Sequence, residues 1–152
     1  MRKFLVVVDS TAECMNALRF AARRAARTGG GLVLLYVIGP EEFQHWLGVA
    51  EVMRREKRAE AEARLSALAE EVRALVGVTP EFAIREGDEA AEVLACIGED
   101  PEIRVLVLGA DPDREDPGPL VSALVARRAG RMPVPITVVP GALTLEQVDE
   151  IS

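Results

Sequence analysis

Short, uninterrupted apolar segments alternate along this chain with longer segments whose apolar residues recur every three or four positions. The apolar segments are rich in β-branched residues, as is typical of strands buried on both faces of a parallel sheet. They lie at 5–8, 32–38, 79–85, 103–108 and 135–139. The predicted order is therefore β-α-β-α-β-α-β-α-β, which favours an α/β fold with a five-stranded parallel sheet, helices on both faces and right-handed crossovers.

The length of 152 residues suits a single core. We expect one domain over residues 1–141, followed by a tail over 142–152. Thr144 and Gln147 have the spacing of a capping box, in which each side chain bonds the backbone amide of the other residue. The tail is therefore predicted to form a short helix.

The charge balance excludes two classes of partner. Lysine and arginine total 18 against 25 acidic residues, a formal net charge of −7. A nucleic-acid or anionic-membrane partner would require a basic surface, so neither is expected. No apolar run reaches the roughly 20 residues that cross a bilayer. Cys14 and Cys96 are far apart in helical segments, which favours two buried free thiols and a cytoplasmic location.

In open parallel sheets, ligands bind beyond the carboxyl ends of the strands, where the strand order reverses. The segments that should meet there are 9–11, 37–39, 87–88 and 109–118. None of them carries the glycine-rich pattern of a dinucleotide-binding or P-loop fold. The segments also lack the acidic pair and lysine of a phospho-acceptor domain.

Catalysis and metal binding have little support in the residue types. His45 is the only histidine, and it lies beside Trp46 in a helix-rich segment, where a surface or interface position is expected. Asp111, Asp113 and Glu115 resemble the start of a calcium loop, but Asp116 stands where such loops need glycine. We expect a solvated acidic loop, no metal site and no enzymatic turnover.

The strand-end motifs resemble those of the universal stress protein family over about residues 3–140. The resemblance rests on the order of short motifs at 7–10, 34–38, 85–88, 105–109 and 135–139. It implies a Rossmann-like fold of the adenine nucleotide alpha hydrolase-like type. It also implies a homodimer through the last strand, with Ile136 and Val138 at the interface.

The same resemblance implies a site for ATP or AMP, with Mg²⁺ accompanying the nucleotide. By position, Asp9 and Val37 would hold adenine and ribose, and a motif G-x2-G-x9-G-[ST] starting at Gly109 would hold phosphate. The full set of candidates is Asp9, Ser10, Val37, Gly109, Ala110, Asp111, Ser122 and Ala123.

The phosphate motif is degenerate, because Pro112, Ser122 and Ala123 occupy its last three defined positions. Pro112 has no N–H to donate, and Ala123 has no hydroxyl. Ser122 could still offer an amide and a hydroxyl. The loop also carries four acids against Arg114, which would repel a triphosphate. We hypothesise that the family's usual ATP binding is weakened or lost, whereas a nucleoside or a differently held nucleotide stays open.

Each candidate also has a structural interpretation. Ser10 and Glu13 are spaced as a capping box for the first helix, and Asp9 could stabilise the positive end of that helix. Three functions remain open: a non-catalytic regulatory or protective binding module, a nucleotide switch with slow Mg²⁺-dependent hydrolysis at Asp111 or Asp113, and a protein-interaction module using the helix 50–76.

Overall fold

The computed structural model of the protein describes residues 1–40 and 50–152, so the interpretation of His45 and Trp46 lies outside the described residues. Five strands are present: β1 (Lys3–Val8), β2 (Gly31–Ile38), β3 (Glu81–Glu86), β4 (Ile103–Ala110) and β5 (Ile136–Pro140). The α-helices of these residues are α1 (Ala12–Thr28), α2 (Ala50–Val76), α3 (Glu89–Glu99), α4 (Pro119–Val121) and α5 (Leu145–Ile151). The short α4 continues into a π-helical turn over Ser122–Ala126.

The sheet has the strand order β3-β2-β1-β4-β5, and every neighbouring pair is parallel. The predicted five-stranded parallel α/β fold is therefore confirmed. The order reverses direction between β1 and β4, which places a topological switch point at their carboxyl ends. Helices α1, α2 and α5 cover one face of the sheet, and α3 and α4 cover the other.

All six residues of β1 are buried. Phe4, Val6 and Val8 contribute to the core cluster beneath α1 and α2, whereas Leu5 and Val7 contribute to the cluster beneath α3 and α4. Because both faces of this strand meet a helix layer, an uninterrupted apolar sequence is required, in contrast to the alternating pattern of a half-exposed strand.

The amino-terminal cap of α1 differs from the prediction. Thr11, and not Ser10, is the N-cap residue, so the predicted Ser10–Glu13 capping box is wrong. The Asp9 carboxylate accepts hydrogen bonds from the Thr11 amide (2.8 Å) and hydroxyl (2.5 Å). An ionised acceptor forms stronger hydrogen bonds than a neutral one, so the Asp9 carboxylate fixes the turn into α1 at Thr11 and not at Ser10.

The predicted terminal helix is present as α5, and Thr144 and Gln147 form its capping box. Helix α5 packs against α1 through the fully buried Val148 and through Asp149, whose carboxylate accepts hydrogen bonds from Arg19 and Arg23. The two guanidinium groups hold the pKa of Asp149 well below its usual range. The tail is thus part of the packed structure.

Helix α1 approaches the end of β4 very closely at Gly109. A Cβ atom added there would overlap the backbone carbonyl oxygen of Glu13, in the first turn of α1. The need for a glycine at this position therefore arises from helix–strand packing, independently of any ligand.

Within residues 1–40 and 50–152, no helix is both long enough and apolar enough to cross a membrane.

We predict that Gly109→Ala lowers the free energy of unfolding by about 3 kcal/mol, the upper range for forcing an extra methyl group into a packed interior. Urea unfolding followed by circular dichroism measures the change. Gly98→Ala is the matched control, because nothing lies within 4 Å of the Cβ position at Gly98 in α3. We expect that variant to be unchanged or slightly more stable. Equal stability of the Gly109→Ala and wild-type proteins would contradict the packing argument.

We predict that Asp149→Asn destabilises the protein at pH 7 and that this difference shrinks below about pH 4. The pKa of Asp149 is lower in the folded than in the unfolded chain, so its stabilisation is present above the unfolded pKa of about 3.9 and is lost as the pH falls further. Urea midpoints at pH 7 and pH 3 give the comparison. Glu150→Gln, on the exposed side of α5, serves as the control. A pH-independent difference between Asp149→Asn and wild type would contradict the ion-pair interpretation.

Candidate functional site

A cleft of about 240 Å³ opens at the carboxyl ends of β1 and β4, at the switch point of the sheet. Its walls are the first turn of α1, the loop after β4 and the start of α4. Apolar and thiol side chains contribute Val7, Cys14, Leu108, Leu120 and Val121. Polar, glycine and proline residues contribute Asp9, Thr11, Glu13, Glu89, Gly109, Asp111, Arg114, Pro117, Gly118 and Pro119.

Three of the eight predicted ligand residues, Asp9, Gly109 and Asp111, line this cleft. The other five are placed elsewhere. Ser10 is exposed before α1, and Val37 is half-buried against the core cluster under α3. Ala110 belongs to the sheet, where its carbonyl accepts from the Gly141 amide (2.9 Å). Ser122 and Ala123 lie in the π-helical turn.

Sequence reasoning missed Glu13 and Glu89 as cleft residues. Each lies in the first turn of a helix that begins at the carboxyl edge of the sheet. In a parallel α/β fold the helix that follows a strand starts at this edge, so the first turns were a usable signal. The predicted ligand segments 9–11 and 87–88 end just before these first turns.

The electrostatic character of the cleft is strongly acidic. Four acidic residues, Asp9, Glu13, Glu89 and Asp111, line the cleft together with one basic residue, Arg114. Four negative groups against one positive group give a formal charge of −3. An anionic ligand entering this cleft would be repelled, whereas an uncharged or cationic ligand would not.

The loop after β4 is held in shape by hydrogen bonds among its own residues. The Asp111 amide donates to the Pro117 carbonyl (3.1 Å), and the Asp113 amide donates to the Asp111 carboxylate (2.9 Å). The side chains of residues 112–116 are exposed, which confirms the predicted solvated acidic loop.

Both polar groups that Ser122 was expected to offer a ligand are engaged inside the protein. Its amide donates to the Gly118 carbonyl (3.0 Å), and its hydroxyl donates to the Asp116 carboxylate (2.7 Å). The Gly118 amide donates to the same carboxylate oxygen at 2.9 Å. These two hydrogen bonds lower the pKa of Asp116, so the carboxylate is ionised.

Cys14 forms part of the cleft wall, but its thiol is unreactive. Its Sγ lies 3.8 Å from the Val7 carbonyl oxygen, and burial raises the pKa of the thiol to about 11. The thiol is protonated near neutral pH, and a protonated thiol is a poor nucleophile. Both cysteines are buried and free, as predicted.

Strand β5 forms one edge of the sheet, with β4 as its neighbour. Val138 is 36% exposed on this strand, and Ile136 is half-buried.

In the described part of the chain, no three histidine, cysteine, aspartate or glutamate side chains are grouped so as to hold a metal ion.

The sequence and the fold were compared with those of known proteins. The sequence model of the universal stress protein family matches residues 1–140. No curated protein matches the chain by sequence.

The universal stress protein UspA from Lactobacillus plantarum has a similar structure, with a TM-score of 0.75, 23% identity, and coverage of 91% of this chain and 97% of that one. The Archaeoglobus fulgidus universal stress protein in complex with dAMP has a TM-score of 0.66 at 19% identity, covering 91% and 98%. A universal stress protein in complex with cAMP has a TM-score of 0.54 at 16% identity, covering 93% and 98%. With the family match spanning all five strands of the sheet, this chain belongs to the universal stress protein family.

Proposed function

We propose that this chain is a non-catalytic regulatory or protective binding module that takes an uncharged adenosine-type ligand in the cleft at the ends of β1 and β4. The family's usual binding of ATP is weak or lost. The observation that carries this proposal is the cleft charge of −3, from Asp9, Glu13, Glu89 and Asp111 against Arg114. The dAMP and cAMP complexes of structurally similar proteins support an adenine nucleoside as the core of the ligand.

The electrostatic penalty grows with the number of phosphates. Two unit charges about 8 Å apart repel by about 0.5 kcal/mol in water and by about 2 kcal/mol at an effective dielectric constant of 20. A triphosphate meeting several carboxylates accumulates this repulsion, a monophosphate less of it, and a nucleoside none. We therefore expect the affinity to fall from adenosine to AMP to ATP.

The cleft has suitable groups for a nucleoside. Val7, Leu108 and Val121 offer apolar surface against which a base can pack. The Asp9 carboxylate holds Thr11 through Oδ1, so Oδ2 can accept a hydrogen bond from a ribose hydroxyl. A carboxylate that accepts from a sugar hydroxyl gives specificity without requiring a phosphate.

The alternative of a switch with slow Mg²⁺-dependent hydrolysis needs a cation to offset the acidic cleft. Asp111 lines the cleft, whereas the Asp113 side chain is exposed on the loop. Mg²⁺ would therefore need phosphate oxygens of the nucleotide as ligands in addition to these carboxylates. Mg²⁺ commonly binds through one or two carboxylates together with substrate phosphates. Magnesium dependence therefore separates the two functions.

The protein-interaction alternative would have to use mainly the polar surface of α2. Ala61, Leu65, Leu68 and Val72 are buried in the core, so the apolar side of the carboxyl-terminal half of α2 already packs against the sheet.

The two buried free thiols are consistent with a reducing, cytoplasmic location, which we propose for this chain.

We predict that the double variant Glu13→Gln/Asp111→Asn binds ATP about tenfold more tightly than wild type, because two cleft charges are removed. Adenosine affinity should stay within about twofold. The Asn at position 111 retains the oxygen that accepts from the Asp113 amide, so the loop keeps its shape. Isothermal titration calorimetry with adenosine, AMP and ATP, in buffer without divalent metal, measures the series.

Glu62→Gln/Glu70→Gln is the control for this experiment, because it removes two exposed carboxylates from α2, away from the cleft. An equal gain in ATP affinity in both variants would assign the effect to net charge alone. Tight ATP binding by the wild-type protein without metal would overturn the proposal. Mg²⁺-dependent release of phosphate from ATP would favour the switch.

We also propose a homodimer formed through β5. This edge strand carries no charged residue over Ile136–Pro140, and an uncharged edge is prone to pair with another chain. The opposite edge, β3, carries Glu81, Arg85 and Glu86, which are typical of an edge protected against such pairing.

We predict that Val138→Lys shifts the protein from dimer to monomer in sedimentation velocity, since a lysine on the edge would be buried against the partner. Phe82→Lys places the same charge on an exposed apolar position of the other edge strand, where Phe82 is 47% exposed, and should leave the dimer intact. Unchanged sedimentation of Val138→Lys, or a monomeric wild-type protein, would count against this interface.

A further inference from the structure

The turn that joins β5 to α5, over residues 140–143, is bonded to helix α1 by one buried side chain. The Asn16 amide nitrogen donates hydrogen bonds to the carbonyl oxygens of Pro140 (3.0 Å) and Leu143 (2.9 Å). Asn16 is 6% exposed, so breaking these bonds would leave a buried amide without its acceptors, which is unfavourable. Asn16 therefore ties α1 to the end of the last strand.

The same β5–α5 turn lies against the wall of the cleft at Gly141. A Cβ atom added to this glycine would come within 2.6 Å of the Ala110 carbonyl oxygen, 2.8 Å of Pro112 Cδ and 2.9 Å of Glu13 Cβ. The Gly141 amide also donates to the Ala110 carbonyl (2.9 Å). The turn thus fits closely between the end of β4 and the first turn of α1.

The first turn of α1 has two such contacts. Its Glu13 carbonyl oxygen lies against Gly109 of β4, and its Glu13 side chain lies against the β5–α5 turn. Thr11, Glu13 and Cys14 line the cleft, whereas Asn16 is not among the lining residues. A residue outside the cleft therefore holds one wall of the cleft in place.

We propose that Asn16 is a positioning residue for the cleft and acts through the first turn of α1. The inference rests on the proposed function in taking this cleft to be the ligand site. Asn16 sets the place of Glu13 and, through the hydrogen bonds between Asp9 and Thr11, of the carboxylate proposed to hold the ribose. Without the two bonds of Asn16, the turn would separate from the sheet more often, and the cleft would lose the shape that fits a nucleoside.

The two buried cysteines distinguish such a local movement from unfolding. Cys14 lies in the first turn of α1, whereas Cys96 is buried on α3, on the opposite face of the sheet. Local opening of the turn exposes the Cys14 thiol alone, but global unfolding exposes both thiols. The ratio of their alkylation rates therefore measures the positioning of the turn, and a uniform loss of stability does not change it.

The experiment compares Asn16→Ala with Leu68→Ala. Leu68 is 1% exposed on α2, so its truncation lowers stability without removing a bond of the β5–α5 turn. Iodoacetamide labelling of the native proteins, followed by peptide mass spectrometry, gives both rates. We expect Asn16→Ala to raise the Cys14-to-Cys96 rate ratio about tenfold and Leu68→Ala to leave it within about twofold of wild type. An unchanged ratio in Asn16→Ala would overturn the proposal.

Adenosine titration by calorimetry extends the comparison to the ligand. Asn16→Ala should lower the affinity about fivefold, the effect of one net hydrogen bond, whereas Leu68→Ala should not. Equal losses in the two variants would contradict a positioning role. If the wild-type protein does not bind adenosine, the proposed function fails, whereas the thiol ratio still decides whether Asn16 holds the cleft wall.

A second variant reaches the same contact without changing Asn16. Gly141→Ala adds a methyl group that would meet Glu13 Cβ, so we expect it to raise the thiol ratio as well. Gly130→Ala is the matched control, because nothing lies within 4 Å of the Cβ position there. Circular dichroism checks that each variant folds. A ratio that rises equally in Gly130→Ala would overturn the assignment to the β5–α5 turn.

Discussion

The burial of β1 between β2 and β4 is the constraint on which the rest of the structure depends. This strand is hydrogen-bonded on both edges and covered on both faces, and its residues from Phe4 to Val8 alternate between the two core clusters. The chain leaves β1 at Val8 and turns at once into α1, whose first turn lies against Gly109 of β4. The position of the cleft follows from this geometry, since residues of β1, of β4 and of the first turn of α1 line it.

At the cleft, the fold and the proposed choice of ligand depend on different groups. The backbone arrangement at the switch point is set by strand order and helix packing, neither of which requires a ligand. In the function proposed above, carboxylates at Asp9, Glu13 and Asp111 would decide which molecules are accepted, because they change the local field without moving the backbone. Under the proposed function, fold and selectivity are thus encoded by different residues of the same cleft.

The order of strands and helices along the chain, the buried strands and the terminal helix could be predicted because each depends on local periodicity or on a short capping pattern. The candidate site was only partly predictable. The N-cap of α1 depended on the turn that Asp9 forms with Thr11, which the spacing of Ser10 and Glu13 does not reveal. The engagement of Ser122 by Asp116 depended on how the loop folds back across six residues, and no periodic pattern reports that.

Helix α5 lies beyond residue 140, where the family match ends, yet Val148 and the side chain of Ser152 are almost wholly buried. A shortened protein ending at Gly141 would have every strand of the sheet but would expose the apolar surface of α1 that Val148 covers. It would also leave Arg19 and Arg23 without their shared carboxylate. Such a protein would expose an apolar and basic surface that is covered in the full chain. The phenotype of a deletion in this region would therefore include aggregation as well as any loss of function.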